Sequence, residues 1–528
     1  MIKIIFGLHK RTFAKYVKKF LTISSLNIGT FDFMIIEDEY IRLIFGLKLK
    51  QIRTEKNLSL FGLAKLSGLS KSYLNEIEKG KKYPKTDKIL ILSEKLEVPY
   101  DHLVSLKLDK NLAPIGEILQ SKILKEIPLE LFGIKENNLI DIVANAPAKV
   151  NAFISTIIKI AQNYSLTRES FFLASLRSYQ EAHGNYFDDI ENDVEKFAKS
   201  YHLDLSKKIT SADLEDILIE EFGYTINDDE LSKHDNLDEL RTIFIPKNKI
   251  LLLDKNISEA QKTFIYAKEL AYNFLNLNDR LFTFPWIKFE NFDQVLHNFI
   301  ASYFAGALII PRKILTEKLT NFFSLEEWEP LKLHRIINHF NCSQETFYQR
   351  LTNILPKYFN IKNLFFLRFT HKENHHEYRL NKELHITQQQ APHANRNNEH
   401  YCRRWVSIKT IQDLEKSPKN RSTFRAQISS YENQKNQYLV LSSATTDPFK
   451  KEINRSVSIG MLLSPHLKKK IHFLKEDTFT TKTVGVTCET CAVKNCKERV
   501  AEPWKLEKKN KHKEIAKTVK EIIDSYQD

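Results

Sequence analysis

The sequence predicts a multidomain chain, mainly α with α+β parts, and three observations carry that expectation. At 528 residues the chain has room for about three or four domains, each with its own core. Apolar residues make up 42% against only 13 Gly and 15 Pro, which suits ordered, helix-rich segments and not a linker-dominated chain. Helical spacing of apolar positions gives way to short strand-like runs in the middle and carboxy-terminal parts. No apolar run approaches the roughly 18 residues that span a bilayer, so no membrane is expected as a partner. The formal charge of +14 suits a polyanion without requiring one. Five cysteines, an odd number in a chain without a secretory signal, point to a reducing cytoplasm.

Residues 1–33 carry Lys3, Lys10, Arg11, Lys15, Lys18 and Lys19 with no acid before Asp32. They read as an over-extended start or a loose basic arm, and no fold is assigned to them. Residues 34–106 show the punctuation of a small helical bundle. Ile41, Ile44, Leu47, Leu49 and Ile52 form one apolar stripe, and Leu60, Leu63, Ala64 and Leu66 a second. Gly68 permits a tight turn, and Ser70 caps a third helix that Gly80 ends. Tyr73, Leu74 and Ile77 of that helix face inward while Lys71, Ser72 and Asn75 face out. The run from Leu63 to Gly80, with Pro84, resembles the helix-turn-helix of the phage-repressor-like (XRE) family, except that Leu60 stands where many relatives carry Gln. The resemblance implies that Lys71, Ser72 and Asn75 read bases of double-stranded DNA. Six lysines lie between Lys65 and Lys85 against Glu76 and Glu78, and of these Lys79, Lys81 and Lys82 are expected on phosphates. The alternative is a bundle with a solvated lysine face.

Residues 107–202 read as a helical linker and dimerisation region, with Ile154, Ile157, Ile158 and Ile160 packed too closely for a solvent-bridging rod. Two-fold dimers reading near-palindromic operators are the usual solution for such a DNA reader. Arg177 to Tyr179 and Asn185 to Glu191 form an aromatic and acidic knot. In residues 203–335, strands are expected at Thr242 to Ile245 and Ile250 to Leu253, and a helix from Ser258 past Leu275. Together with Phe299 to Pro311 these resemble the core of ImmA/IrrE-type metallopeptidases, a degenerate gluzincin-like α+β domain. The metal chemistry is lost. Zinc needs His at i and i+4 with a Glu after the first, and here Lys268, Glu269 and Tyr272 stand there. Asn298 and Ile300 occupy the positions expected for the third ligand, so no catalytic activity is expected. A cleft remains, in which Lys268, Tyr272 and Arg312 could face an anion.

In residues 336–504, Ser343 caps a helix ending in Arg350-Leu351, and Cys342 reads as a packing residue. Leu364 to Phe369 reads as a strand. His371, His375, His376, His385, His393 and His400 lack ligand spacing and read mostly as exposed loop residues. Cys488, Cys491 and Cys496, spaced C-x2-C-x4-C, form a metal or cluster loop, for which a fourth ligand is wanted: Cys402, or else His466 or His472. Residues 505–528 read as a charged, solvated helical tail.

An XRE domain, an Asn-Tyr-aromatic-acid element, a degenerate ImmA/IrrE-like region, a Ser-led helix ending in Arg-Leu, Cys402-x2-Trp405 and a terminal C-x2-C-x4-C-x2-Arg resemble the bacterial short-chain fatty acyl transcriptional regulators, which include propionate- and acetate-utilisation regulators. The resemblance implies a cytoplasmic, homodimeric regulator with a [4Fe-4S] cluster on Cys402, Cys488, Cys491 and Cys496, sensing a short-chain acyl-CoA, redox state or both. Zinc on the same thiolates is chemically open. Arg177, Tyr186, Lys268, Tyr272 and Arg312 are the expected acyl-CoA contacts. The alternative is an ImmA/IrrE-type metallopeptidase cleaving a repressor, or a DNA-binding regulator whose zinc is only a staple. The passage from Lys372 to His376 departs from relatives, which tend to have a Gly-containing turn there.

Overall fold

The computed structural model describes residues 38–106, 168–234, 237, 240–281, 289–386, 399–416, 422–431, 436–447, 450–474, 479 and 481–525. The basic arm, Ile154 to Ile160 and His393 lie outside the described residues. The chain divides into two compact units, and the described residues of the first are 38–106.

Its described residues form five helices: α1 (Asp38–Glu55), α2 (Leu60–Ser67), α3 (Lys71–Glu78), α4 (Thr86–Leu96) and α5 (Tyr100–Val104). Ser59 and Ser70 cap α2 and α3, accepting the amides of Gly62 and Tyr73. Gly68 between them takes φ +69, a left-handed turn that a side chain would strain. Phe45, Leu49 and Ile52 of α1 close on Leu63, Leu74, Ile77, Ile89, Leu92, Leu96 and Leu103. Full burial of each such side chain contributes about 1.5–3 kcal/mol before entropy is counted. The end of α3 is fixed to α1 by a fork, Arg53 donating to both Glu78 oxygens at 2.6 and 2.9 Å.

The second unit begins with α6 (Arg168–Ala182), α7 (Asp188–Ser200) and α8 (Ser211–Glu220). A small sheet follows, β1 (Thr225–Asn227), β2 (Thr242–Ile245) and β3 (Ile250–Leu253), in order β1-β3-β2 with β1 parallel to β3. Five helices come next: α9 (Glu259–Phe274), α10 (Phe292–Ile309), α11 (Arg312–Phe323), α12 (Pro330–His339) and α13 (Gln344–Tyr358). Ser258 and Gln261 make a capping box for α9, which stops at Phe274 with Leu275 as its cap and not beyond it. Among the described residues no single helix is long and apolar enough to cross a membrane. Only α10 and α11 together reach that length, with a 63° bend, and their Phe304, Leu308 and Leu315 are fully buried in the core.

The remainder builds a six-stranded sheet: β4 (Leu364–Lys372), β5 (Tyr378–His385), then α14 (Val406–Lys416), β6 (Ser422–Tyr431), β7 (Gln437–Thr446), β8 (Ile453–Leu462), α15 (Pro465–Lys470) and β9 (Thr481–Val484). The strand order is β5-β4-β8-β7-β6-β9. Alternation along β4 sends Phe366 toward the helical core and Phe365, Leu367 and Phe369 toward Trp405, Ile408 and Ile411 at α14. Two histidines are corrected here: His371 and His385 lie in strands, and His371 is buried, 2.6 Å from Glu415. A polar residue alternating into a second core gives no apolar period, which is why the passage reads as loop. At the β4–β5 turn Asn374 takes φ +64, a left-handed conformation that Asn tolerates better than most side chains. The final helix, α16 (Trp504–Ser525), buries none of its side chains.

Candidate functional sites

The α3 helix presents Lys71, Ser72 and Asn75 to solvent because Leu74 and Ile77, three apart, take the inward face and are fully buried. Lys79, Lys81 and Lys82 follow it, all exposed. Lys82 also pairs with Glu76 at 2.9 Å, so a phosphate must compete for that ammonium. The three-residue connection 68–70 and the Ser70 cap fix the angle at which this face leaves the bundle.

In the second unit, the segment 400–402 runs beside 486–488. Cys488 donates its amide to the His400 carbonyl at 2.8 Å, Cys402 its amide to Val486 at 3.1 Å, and Tyr401 pairs with Thr487 as an isolated bridge. The Trp405 indole donates to the Gly485 carbonyl at 2.7 Å. This short ladder carries Cys402 to the loop that follows β9, and Cys402, Cys488, Cys491 and Cys496 line one cavity. His466 and His472 are engaged elsewhere, with the Phe359 carbonyl and Glu326.

Arg499 holds the loop closed. Its guanidinium donates to the carbonyls of Cys488, Cys491 and Val493 at 3.0, 3.2 and 2.8 Å. On the other side Glu489, buried, accepts from His400 at 2.7 Å and from its amide at 3.1 Å. A Cβ at Gly485 would stand 2.8 Å from the Cys491 sulfur, so only glycine lets the strand end approach that thiol. Burial pushes the Cys402 thiol up to about 11, partly offset by the amides of Arg404 and Gly485 that donate to its sulfur, and the Cys491 and Cys488 sulfurs push it further up.

The donor set fits a thiolate-bound group: four thiols line one cavity, and both zinc and an iron-sulfur cluster take such ligands. Among the described residues no group of three or more His, Cys, Asp or Glu stands at metal-holding spacing.

The cleft around α9 has a different character. Lys268 donates to Asn298 at 2.6 Å, so the ammonium lies between the positions where an active peptidase would have its first and third metal ligands. Burial holds that ammonium down to about 8. Tyr272 is buried and its phenol pushed up by desolvation, which keeps it a neutral hydroxyl and a poor metal ligand. Glu269 is tied to Arg280 at 2.7 Å and accepts from the Tyr224 hydroxyl at 3.0 Å, while the Arg280 guanidinium lies 3.2 Å over the Phe244 ring. The would-be general base is thus neutralised by its own salt bridge.

Residues 49–103 match the family described as Helix-turn-helix, and residues 219–352 the family described as IrrE N-terminal-like domain. The first match lies within the amino-terminal helical unit and the second within the α+β part of the second unit, each covering part of the chain. Two curated relatives, each the HTH-type transcriptional regulator RamB of Mycobacterium tuberculosis from different strains, are 24% identical over 328 residues, covering 58% of this chain. The aligned part spans 65% of the length of those relatives. Among solved structures, a Mycobacterium tuberculosis transcriptional regulator is similar at 17% identity and a TM-score of 0.42, over 62% of this chain and 92% of that one. The restriction-modification controller protein C.AhdI from Aeromonas hydrophila is 37% identical over 12% of this chain and 94% of its own, with a TM-score of 0.12.

The five expected effector contacts fall into two pairs and a single residue. Arg312 donates to the Tyr186 hydroxyl at 3.2 Å and pairs with Glu195 at 3.0 Å. Lys268 lies 5.8 Å from the Tyr272 ring. Arg177 is exposed on α6. Beside the first pair, Tyr186 shares a hydrogen bond with Tyr358 and Lys357 lies 4.9 Å over its ring. Arg280, Arg499 and Gly485 carry roles that the sequence reading did not assign. Arg499 had a signal, its fixed distance from Cys496; Arg280 and Gly485 had none short of the fold.

Proposed function

We propose that this chain is a DNA-binding transcriptional regulator that acts as a homodimer on a near-palindromic operator. Its cysteine centre holds a [4Fe-4S] cluster, and a short-chain acyl-CoA is its effector. The observation that carries the DNA reading is the α3 face, with Lys71, Ser72 and Asn75 exposed over a fully buried Leu74 and Ile77. The name of the curated relatives supports the same reading.

The cluster would be held by Cys402, Cys488, Cys491 and Cys496, and it would supply one-electron redox chemistry. Around it the Arg499 strap and the Arg404 and Gly485 amides orient the thiolates. For the effector, Tyr186, Arg312 and Lys357 offer two cations and a ring within reach of one another, as a phosphate-bearing ligand with a flat base requires. Binding there would displace Glu195 from Arg312, a change in charge pairing between α7 and α11. The resemblance to short-chain acyl regulators supports acyl-CoA over other phosphorylated ligands.

The test is operator affinity by fluorescence anisotropy, using DNA selected from a random pool. Anaerobically purified protein is measured with and without acetyl-CoA or propionyl-CoA, then after oxidation. A shift of affinity with either acyl-CoA supports the effector, since a ligand regulates only if it discriminates between states. Sequence-independent binding that no acyl-CoA or oxidation alters would overturn the proposal.

A further inference from the structure

The outward face of α3 carries an acid near its centre. At about 100° of turn per residue, Ser72, Glu76 and Lys79 stand within about 35° of the direction opposite the buried Leu74, Ile77 and Glu78. Asn75 stands about 75° from that direction and Lys71 about 115°. Glu78 is turned inward onto Arg53. Glu76 is therefore the one carboxylate of α3 that meets whatever this face docks against.

Its place is fixed by the chain that follows. The Lys81 and Lys82 amides donate to the Glu76 carbonyl at 2.9 and 3.3 Å, which folds the segment back over the end of α3. That brings the Lys82 ammonium to 2.9 Å from the Glu76 carboxylate and 5.8 Å from the centre of the Tyr73 ring. The Glu76 side chain stays 41% exposed and that of Lys82 57%, so the pair does not hide the carboxylate. Exposed pairs of this kind add little to stability, so folding does not account for an acid on a face otherwise lined by Lys71, Ser72, Asn75 and Lys79. Beside a polyanion such an acid is unfavourable unless a donor there meets it.

We propose that Glu76 is a specificity-determining residue that accepts a hydrogen bond from the amino group of a cytosine in the major groove. The inference rests on the DNA-reading function proposed above and assigns it a base. Guanine presents two acceptors in that groove, and thymine an acceptor and a methyl group, so neither offers a carboxylate a donor. Adenine presents an amino donor with the N7 acceptor beside it, which repels the second carboxylate oxygen. Cytosine presents its amino group alone. A carboxylate only accepts, so it fits cytosine better than any other base. Lys82, held beside it, offsets the charge of Glu76 against the phosphates that flank the groove. Each half-site of the operator thus holds a C·G pair at the place that Glu76 reaches.

The experiment selects DNA from a random pool with the full chain as wild type, Glu76→Gln and Glu76→Ala. Affinity is then measured by fluorescence anisotropy, at one salt concentration, for the selected site carrying each of the four base pairs at each position. Wild type is expected to lose about tenfold or more when one particular cytosine is replaced. Glu76→Gln should prefer adenine at that position and keep the rest of the site, since an amide both accepts from N6 and donates to N7. A variant that has lost its fold gains no base preference, so the switch separates reading from stability. Glu76→Ala should bind the four pairs at that position within about twofold of one another and bind unrelated DNA more tightly, a negative charge having gone. The same selected site for all three proteins, or an equal loss of affinity for every sequence in Glu76→Gln, would overturn the inference and leave the DNA-reading function standing. A wild type that selects no sequence would overturn both.

Discussion

Arg350 is the residue whose surroundings say most about how the second unit is held. Its guanidinium forks onto both Glu191 oxygens at 2.5 and 2.9 Å and donates to the Ile310 carbonyl at 3.1 Å, with both side chains 1–2% exposed. Removing one partner leaves a buried charge, so Arg350→Met should cost about 3–5 kcal/mol, read as a fall in the chemical unfolding midpoint. A loss of under about 1 kcal/mol, the range of an exposed pair, would contradict that burial. Glu191 belongs to the acidic knot and Arg350 to the Ser343-capped helix, two features the sequence shows separately. The pairing itself was not legible, since it joins residues far apart in the chain; an arginine inside the apolar stripe of Phe347, Leu351 and Ile354 was the available hint. At the DNA face, Asn75→Ala should cost about 1–3 kcal/mol and relax specificity at one base pair. Lys79→Ala should weaken binding to all sequences alike and lower the salt slope by about one. A uniform loss from Asn75→Ala would mean that it reads no base.

At the scale of elements, the β4–α14 contact carries a pH dependence. His371 loses charge stability to burial, but its hydrogen bonds to Glu415 and the His375 carbonyl outweigh that and raise it above the ordinary histidine value. A raised group stabilises fully below its unfolded value, about 6.5, and the contribution is lost as pH climbs through the folded value. The stability gap between wild type and His371→Asn should therefore shrink as pH rises above about 6.5, and a gap that widens instead would reverse the sign. The cysteine loop gives a second element-scale expectation. Gly485→Ala presses a methyl on the Cys491 sulfur and should lower metal content per chain without changing DNA-domain stability.

These elements were legible to different degrees. The strands Thr242–Ile245 and Ile250–Leu253 stand where short apolar runs place them, and the helix-turn-helix follows from caps, glycines and period. The order β5-β4-β8-β7-β6-β9 was hidden, because register between distant strands is set by side-chain packing that no local pattern records. Asn374 shows the same limit in small, since Asn in a turn does not announce the left-handed conformation it takes.

For the whole molecule, the chain combines an output face on a rigid helical bundle with an IrrE-like domain whose metal position holds Lys268 and whose base is bound to Arg280. Whether the four thiols take a cluster or one ion decides between a sensor and a staple. The direct measurement is iron, acid-labile sulfide and zinc per chain after anaerobic purification, for wild type and Cys402→Ser. A cluster predicts about four irons and as many sulfides per chain, falling sharply in the variant. One zinc per chain with no iron would contradict it.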